Sequence, residues 1–271
     1  MSDKKEIVIS VKNLTKRFGS RTILSEVSLD IYEGETLVVM GGSGCGKSTF
    51  LRHLIGALRP DEGEVWMFGK NIAKADEMEM DEIRKQFGML FQSGALFDSM
   101  TVGENIALPL REHTKLDENI IRIVIKLKLD LVGLRGFENL MPSQLSGGMK
   151  KRCGLARAIV MDPKIVFYDE PTAGLDPVMT GVIDKLTMDL TKKLNITSVV
   201  VTHDMGSVFR IANRIVMLHE GRVLEIGTPD EIRHSKNPIV QQFITGGAEG
   251  PISFVQSGED YLEHLTEEIE I

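Results

Sequence analysis

Nine residues, Gly41-Gly42-Ser43-Gly44-Cys45-Gly46-Lys47-Ser48-Thr49, constrain this chain more than any other stretch. The apolar run Thr36-Leu37-Val38-Val39-Met40 precedes them, and a helical pattern with Phe50, Leu51, Leu54, Ile55 and Leu58 on one side follows. Strand, glycine-rich turn and helix together are the context in which a phosphate-binding loop works. Glycines let the backbone fold tightly, so that successive N–H groups point inward at an anion. A helix starting near Lys47 adds the positive end of its dipole, and the Lys47 ammonium adds a full charge. Ser48 then stands where its hydroxyl can meet a magnesium ion between terminal phosphates. The expectation is a nucleotide site.

The rest of the composition narrows the setting. The chain has 271 residues, enough for one large α/β domain or two modest ones. With 42% hydrophobic and 26% charged residues it reads as an ordinary soluble globular protein. A net charge of −7 argues against a nucleic-acid partner, which calls for a basic surface. No apolar run approaches the ~20 residues that span a bilayer, and Met1-Ser2-Asp3-Lys4-Lys5-Glu6 lacks a signal-peptide apolar region. The expected location is the cytosol, unless another subunit holds the chain at a membrane. Cys45 and Cys153 have neither metal-ligand spacing nor a disulfide framework.

Periodicity sketches the remaining elements. Ile7–Val11 and the alternating Val27, Leu29 and Ile31 read as strands, with Lys16-Arg17-Phe18-Gly19 as a loop between them. A loop aromatic such as Phe18 can stack on an adenine ring or cap the local core. Gly63–Gly69 reads as a short strand, and charged residues 74–85 as an exposed helix leading to Phe87–Gln92. From Ser93 to about Val160 the pattern is helical. Thr101-Val102-Gly103-Glu104 has the form of a capping box, opening a helix that Pro109 soon perturbs. Uninterrupted apolar runs return at Ile165–Tyr168, Thr197–Thr202 and Ile215–Leu218, as strands buried on both faces should.

Two of those runs end in chemistry. Ile165–Tyr168 leads into Asp169-Glu170, adjacent carboxylates that are costly at a buried strand end unless a cation or a reaction uses them. Beside a phosphate loop the first suits magnesium coordination through water, and the second can orient or deprotonate an attacking water. Thr197–Thr202 leads into His203-Asp204 at the rim where ligands of such sheets bind. Ser146, Gly147 and Gly148 open a further helix and form a second anion site. A single nucleotide seldom uses two such sites, so this one is expected to serve the nucleotide of a second copy of the chain.

In order, these motifs resemble the ATP-binding subunits of ABC transporters. The likeness covers residues 7 to 230. Its parts are the P-loop at Gly41–Thr49, a Q-loop at Gln92, a signature at Leu145–Met149, a Walker B strand ending Asp169-Glu170, a D-loop at Ala173–Asp176 and a switch histidine at His203. The resemblance implies ATP and Mg2+ as cofactors and a P-loop NTPase (RecA-like) α/β core, with an N-terminal antiparallel β part and a helical insert. It gives Phe18 the adenine-stacking role, Gln92 a nucleotide contact, and Ser48, Gln92 and Asp169 the metal. Glu170 becomes the base or water-orienting residue, His203 the γ-phosphate contact, and Ser146, Gly147 and Gly148 the signature acting in trans. Met149 departs from the glutamine many members carry, which leaves the anion-binding residues intact.

A finer resemblance lies in Phe91–Val102, Pro109–His113, Val132–Gly136 and Gly250–Phe254. These look like the ATPases of Mla (maintenance of lipid asymmetry) phospholipid transporters. That likeness implies a permease of the MlaE kind, an MCE-domain protein like MlaD, a STAS-domain subunit like MlaB, and the cytoplasmic face of an inner membrane. The expected organisation is one ATPase domain over residues 1–244, with a core of 1–92 and 161–244 and an insert of about 93–160. Residues 245–271 form an extension whose Phe254, Tyr261 and Leu262 are suited to dock on a neighbouring subunit.

Overall fold

The computed structural model describes residues 6–252. The expected tail docking falls on residues 253–271, outside the described residues, as do residues 1–5.

Chain order runs β1 (Ile7–Phe18), β2 (Arg21–Tyr32), β3 (Thr36–Met40), α1 (Lys47–Leu54), β4 (Glu62–Met67), β5 (Lys70–Asn71), α2 (Glu77–Arg84) and β6 (Phe87–Leu90). Three helices follow without an intervening strand: α3 (Val102–His113), α4 (Glu118–Leu131) and α5 (Gly147–Ala158). The chain then alternates: β7 (Ile165–Asp169), α6 (Pro177–Leu194), β8 (Thr197–Val201), α7 (Met205–Ile211) and β9 (Arg214–His219). It closes with β10 (Arg222–Gly227), α8 (Pro229–Arg233) and α9 (Pro238–Thr245).

Two sheets result. One is four-stranded and antiparallel, ordered β2-β1-β4-β5; the other is six-stranded, ordered β10-β9-β3-β8-β7-β6. In the larger sheet β9, β3, β8, β7 and β6 run parallel, and β10 pairs antiparallel with β9 at one edge. Parallel strands expose their carboxyl ends on one rim, so the segments after β3, β6, β7 and β8 all emerge there.

The sheet is covered on both faces, which is why its strands read as unbroken apolar runs. Side chains still alternate by the strand period. Leu37, Val39, Ile165, Phe167, Val199 and Val201 pack with α1 and the antiparallel sheet through Phe50, Leu51, Val11 and Ile31. Val38, Met40, Val166, Tyr168 and Val200 face the other way, onto Val102, Ile106, Leu129, Cys153 and Leu155 of the three successive helices. All but a few of these side chains are fully buried, each contributing about 1.5–3 kcal/mol of burial.

The helix starts follow their caps. Thr101 Oγ1 accepts from the Glu104 N–H at 3.2 Å, and Glu104 Oε2 accepts from the Thr101 N–H at 2.7 Å, so the expected capping box forms. Pro109, expected to perturb that helix, lies inside α3, which continues to His113. Lys16, Arg17 and Phe18, expected in a loop, belong to β1; only Gly19-Ser20 turns the chain, because cross-strand pairing continues to Phe18 and Arg21. No helix among the described residues is long and apolar enough to cross a membrane.

Candidate functional site

The phosphate-loop residues Gly41–Gly46 leave β3 at the shared rim and turn directly into α1. Gly46 stands at the helix N-cap with φ 103° and no side-chain cap, and no acidic residue occupies the first turn. The first N–H groups of α1 therefore face outward without partners of their own, as an anion site requires. Two glycines are sterically fixed. A Cβ on Gly41 would lie 2.2 Å from the Leu218 carbonyl oxygen, and one on Gly46 would lie 2.7 Å from Leu24 Cδ2. The loop is pressed between β9 and β2, and only hydrogen fits at those positions.

Lys47 closes the loop over itself. Its Nζ donates to the Gly41 carbonyl at 2.8 Å and the Gly42 carbonyl at 2.9 Å. An anion entering the loop meets an ammonium already held at its centre. Beside it lies a cavity of about 300 Å3 lined by Phe18, Arg21, Ile23, Gly44 and Gly46–Thr49. Phe18, at the end of the β1–β2 hairpin, is 51% exposed and presents its ring to that cavity; Lys16 Nζ sits 5.5 Å from the ring centroid. A flat aromatic face thus adjoins the phosphate loop, and Ser43, Ser48 and Thr49 are at least partly exposed around it.

The acidic pair leaves β7 two strands from β3, with β8 between them. Burial pushes the Asp169 carboxyl above the usual carboxylate range, the Glu170 charge adds to this, and Arg52 and Lys47 pull it partly back. Such a carboxylate is ready for a cation. Glu170 has φ 46°, rare for a residue with a side chain, and its N–H donates to the Val201 carbonyl at 2.9 Å. This geometry brings Glu170 Oε1 to 2.9 Å from Nδ1 of His203, which follows β8. The Glu170 side chain is 14% exposed and the His203 ring 68%, so the pair opens to the rim.

Other expected site residues lie apart within one chain. Gln92, just past β6 at the sheet edge, is exposed and makes no hydrogen bond with the described residues. Ser146 caps α5, its Oγ accepting from the Met149 N–H at 3.3 Å. Ser146 and Gly147 are exposed, whereas Gly148 is buried against Met179. None of the three lines the cavity at the phosphate loop. One residue escaped the sequence reading: Lys151 of α5, only 5% exposed, whose Nζ reaches the loop after Glu170. In the sequence it is one of four basic residues, Lys150, Lys151, Arg152 and Arg157, on the helix that opens with the second anion site, with nothing to set it apart from the other three.

Cys45 is a site-selective reporter. It is 8% exposed; burial pushes its thiol pKa above the ordinary cysteine range and the Lys47 charge opposes that rise. Cys153 is fully buried and pushed up to about 12. Because the thiolate is the nucleophile, maleimide should modify Cys45 slowly and before Cys153. ATP should slow only Cys45, as peptide mass spectrometry would show; equal rates with and without ATP would refute the placement of the nucleotide.

Known proteins are similar to this chain in sequence and in fold. The ABC transporter family model matches residues 24–173. The "Intermembrane phospholipid transport system ATP-binding protein MlaF" of Haemophilus influenzae is 44% identical over 96% of this chain and 98% of that protein. The "Probable ribonucleotide transport ATP-binding protein mkl" of Mycobacterium leprae is also 44% identical, over 94% of this chain and 73% of that protein. A dimeric ATP-binding cassette solved in a post-hydrolysis state with ADP and Pi superposes with a TM-score of 0.75 at 34% identity, covering 82% of this chain and 98% of that one.

Proposed function

This chain belongs to the ABC transporter family, and from that premise we propose that it is the ATP-hydrolysing subunit of a phospholipid transporter acting between inner and outer membranes. The observation that carries the phospholipid reading is the near end-to-end match to the Haemophilus influenzae protein, 96% of one chain against 98% of the other. The subunit works at the cytoplasmic face of the inner membrane, peripheral through its permease.

In this reading two copies of the chain enclose two ATP molecules. Each nucleotide rests on the phosphate loop of one copy, Gly41–Thr49, and is completed by Ser146, Gly147 and Gly148 of the other. The dimeric form of the solved cassette supports this, as does the separation of signature and P-loop cavity within one chain. Phe18 stacks on the adenine, and Lys47 counters charge on the phosphates. Ser48 and Asp169 would hold the magnesium of MgATP, with Gln92 reaching it from the sheet edge on closure, and the ion would offset charge on the phosphates; the role suits Asp169, a carboxyl whose burial leaves it wanting a positive neighbour. Glu170 orients the water that attacks the γ-phosphate in line, and His203 contacts that phosphate. Their 2.9 Å contact supports a joint role.

Closure on ATP and reopening after hydrolysis would then move an MlaE-like permease. Its seat is a groove of about 540 Å3 between β6 and α3, floored by Phe87 and Met89 and edged by Phe91 and Phe97, which are 42% and 51% exposed. An MCE-domain protein like MlaD joins through the permease. The apolar stripe Ile120, Ile123, Leu127 and Leu131 along α4 supports an accessory cytosolic subunit, assigned here as the STAS-domain, MlaB-like one.

Capture tests the reading. Glu170→Gln chain with ATP, used as bait in detergent-solubilised membranes, should retain a permease with an MCE-domain partner and extractable phospholipid. The match to the Mycobacterium leprae protein favours a second reading, in which the cargo is a ribonucleotide. A ribonucleotide in place of lipid in the captured complex would replace the first reading by the second. A purely soluble catch would discard both, leaving a soluble ABC ATPase.

A further inference from the structure

Lys151 is an unusual lysine. It lies in the second turn of α5 and is 5% exposed. Burial lowers its pKa, and only the Glu170 charge opposes that. A buried ammonium requires partners, and Lys151 finds main-chain oxygens in the loop after β7. Nζ donates to the Ala173 carbonyl at 2.6 Å, with the Glu170 carbonyl at a longer 3.4 Å.

That loop begins with a strained residue. Glu170 occupies the left-handed region at φ 46°, a conformation that a residue with a side chain rarely adopts. Its N–H is tied to β8 through Val201 O at 2.9 Å, and its carbonyl accepts from the Ala173 N–H at 3.2 Å. Without Lys151, the Ala173 carbonyl would lose its side-chain donor, and the turn would be held from the β8 side alone.

We propose that Lys151 is a positioning residue: its ammonium clamps the turn Glu170–Ala173 and so holds the Glu170 carboxylate at the rim beside His203. Because Ser146, Gly147 and Gly148 open the same helix, the clamp also ties the signature of one ATP site to the acidic residue of the other. The inference rests on Glu170 orienting the attacking water.

The test uses the captured complex with the full chain, comparing Lys151→Met, Lys151→Gln, Glu170→Gln and the double variant Lys151→Met/Glu170→Gln. Lys151→Met should lower kcat about tenfold with KM for ATP within about twofold, since misplacing a reacting group costs rate rather than binding. Lys151→Gln, which keeps an N–H donor, should recover part of the rate. In single-turnover hydrolysis the double variant should be no slower than Glu170→Gln alone, because both changes act on one group. Multiplied losses in the double variant, or an unchanged kcat in Lys151→Met, would overturn the clamp while leaving Glu170 in place. A wild-type rate in Glu170→Gln would instead remove the reading on which the clamp rests. Melting temperatures with and without MgATP separate a rate loss from a folding loss.

Discussion

Glu170→Gln is expected to lower ATP turnover by about a hundred- to ten-thousandfold while leaving MgATP binding intact, the range lost with a general base. Glutamine preserves the shape of the side chain and one carbonyl oxygen, so the turn held by Val201 O and the Ala173 N–H should survive. What disappears is the charge that can accept a proton from water. Binding should not suffer, because the Glu170 charge is one of the causes that raise the Asp169 carboxyl, and its removal eases Asp169 toward its ionised form. A chain that binds and cannot hydrolyse should accumulate as a closed dimer with ATP. Steady-state turnover, equilibrium MgATP binding and size-exclusion chromatography with ATP check the three parts. Normal hydrolysis by this variant would mean that another group orients the water.

The local parts of this site were legible in sequence, and their assembly was less so. The P-loop announced itself because its constraints are local: Gly41 and Gly46 are small for the sake of Leu218 O and Leu24 Cδ2, and Lys47 answers carbonyls five and six residues away. The strands β3, β7 and β8 showed as apolar runs because both faces of each are covered. Sequence order then implied the shared rim. The reach of β1 to Phe18 was missed, since its outer residues Lys16 and Arg17 are charged and find partners in Asp61 and Glu62 far along the chain. Lys151 was missed for the same reason. A lysine's burial depends on which carbonyls lie opposite it, and those come from a strand loop some twenty residues on. Distance in sequence, rather than weakness of the interaction, hid these residues.

Lys47→Ala should weaken MgATP binding by more than about a hundredfold, the loss expected when charge-assisted contacts to phosphate disappear. The variant loses twice, since the same ammonium holds the Gly41 and Gly42 carbonyls before any nucleotide arrives. Its greater use is in mixed dimers. Gly147→Asp is a companion change that the fold should accept, because Gly147 is exposed and an added Cβ meets nothing within 4 Å. An aspartate at a helix start even suits the dipole, yet its charge repels a phosphate presented there. If each site combines one copy's P-loop with the other's signature, a dimer pairing Lys47→Ala with Gly147→Asp keeps one site free of both changes. A dimer pairing the doubly changed chain with wild type keeps none. The first should hold one tightly bound ATP and the second should hold none, measured as nucleotide retained per tagged heterodimer. If the sites instead lay within single chains, the two results would exchange places, since the wild-type copy would then carry an intact site of its own.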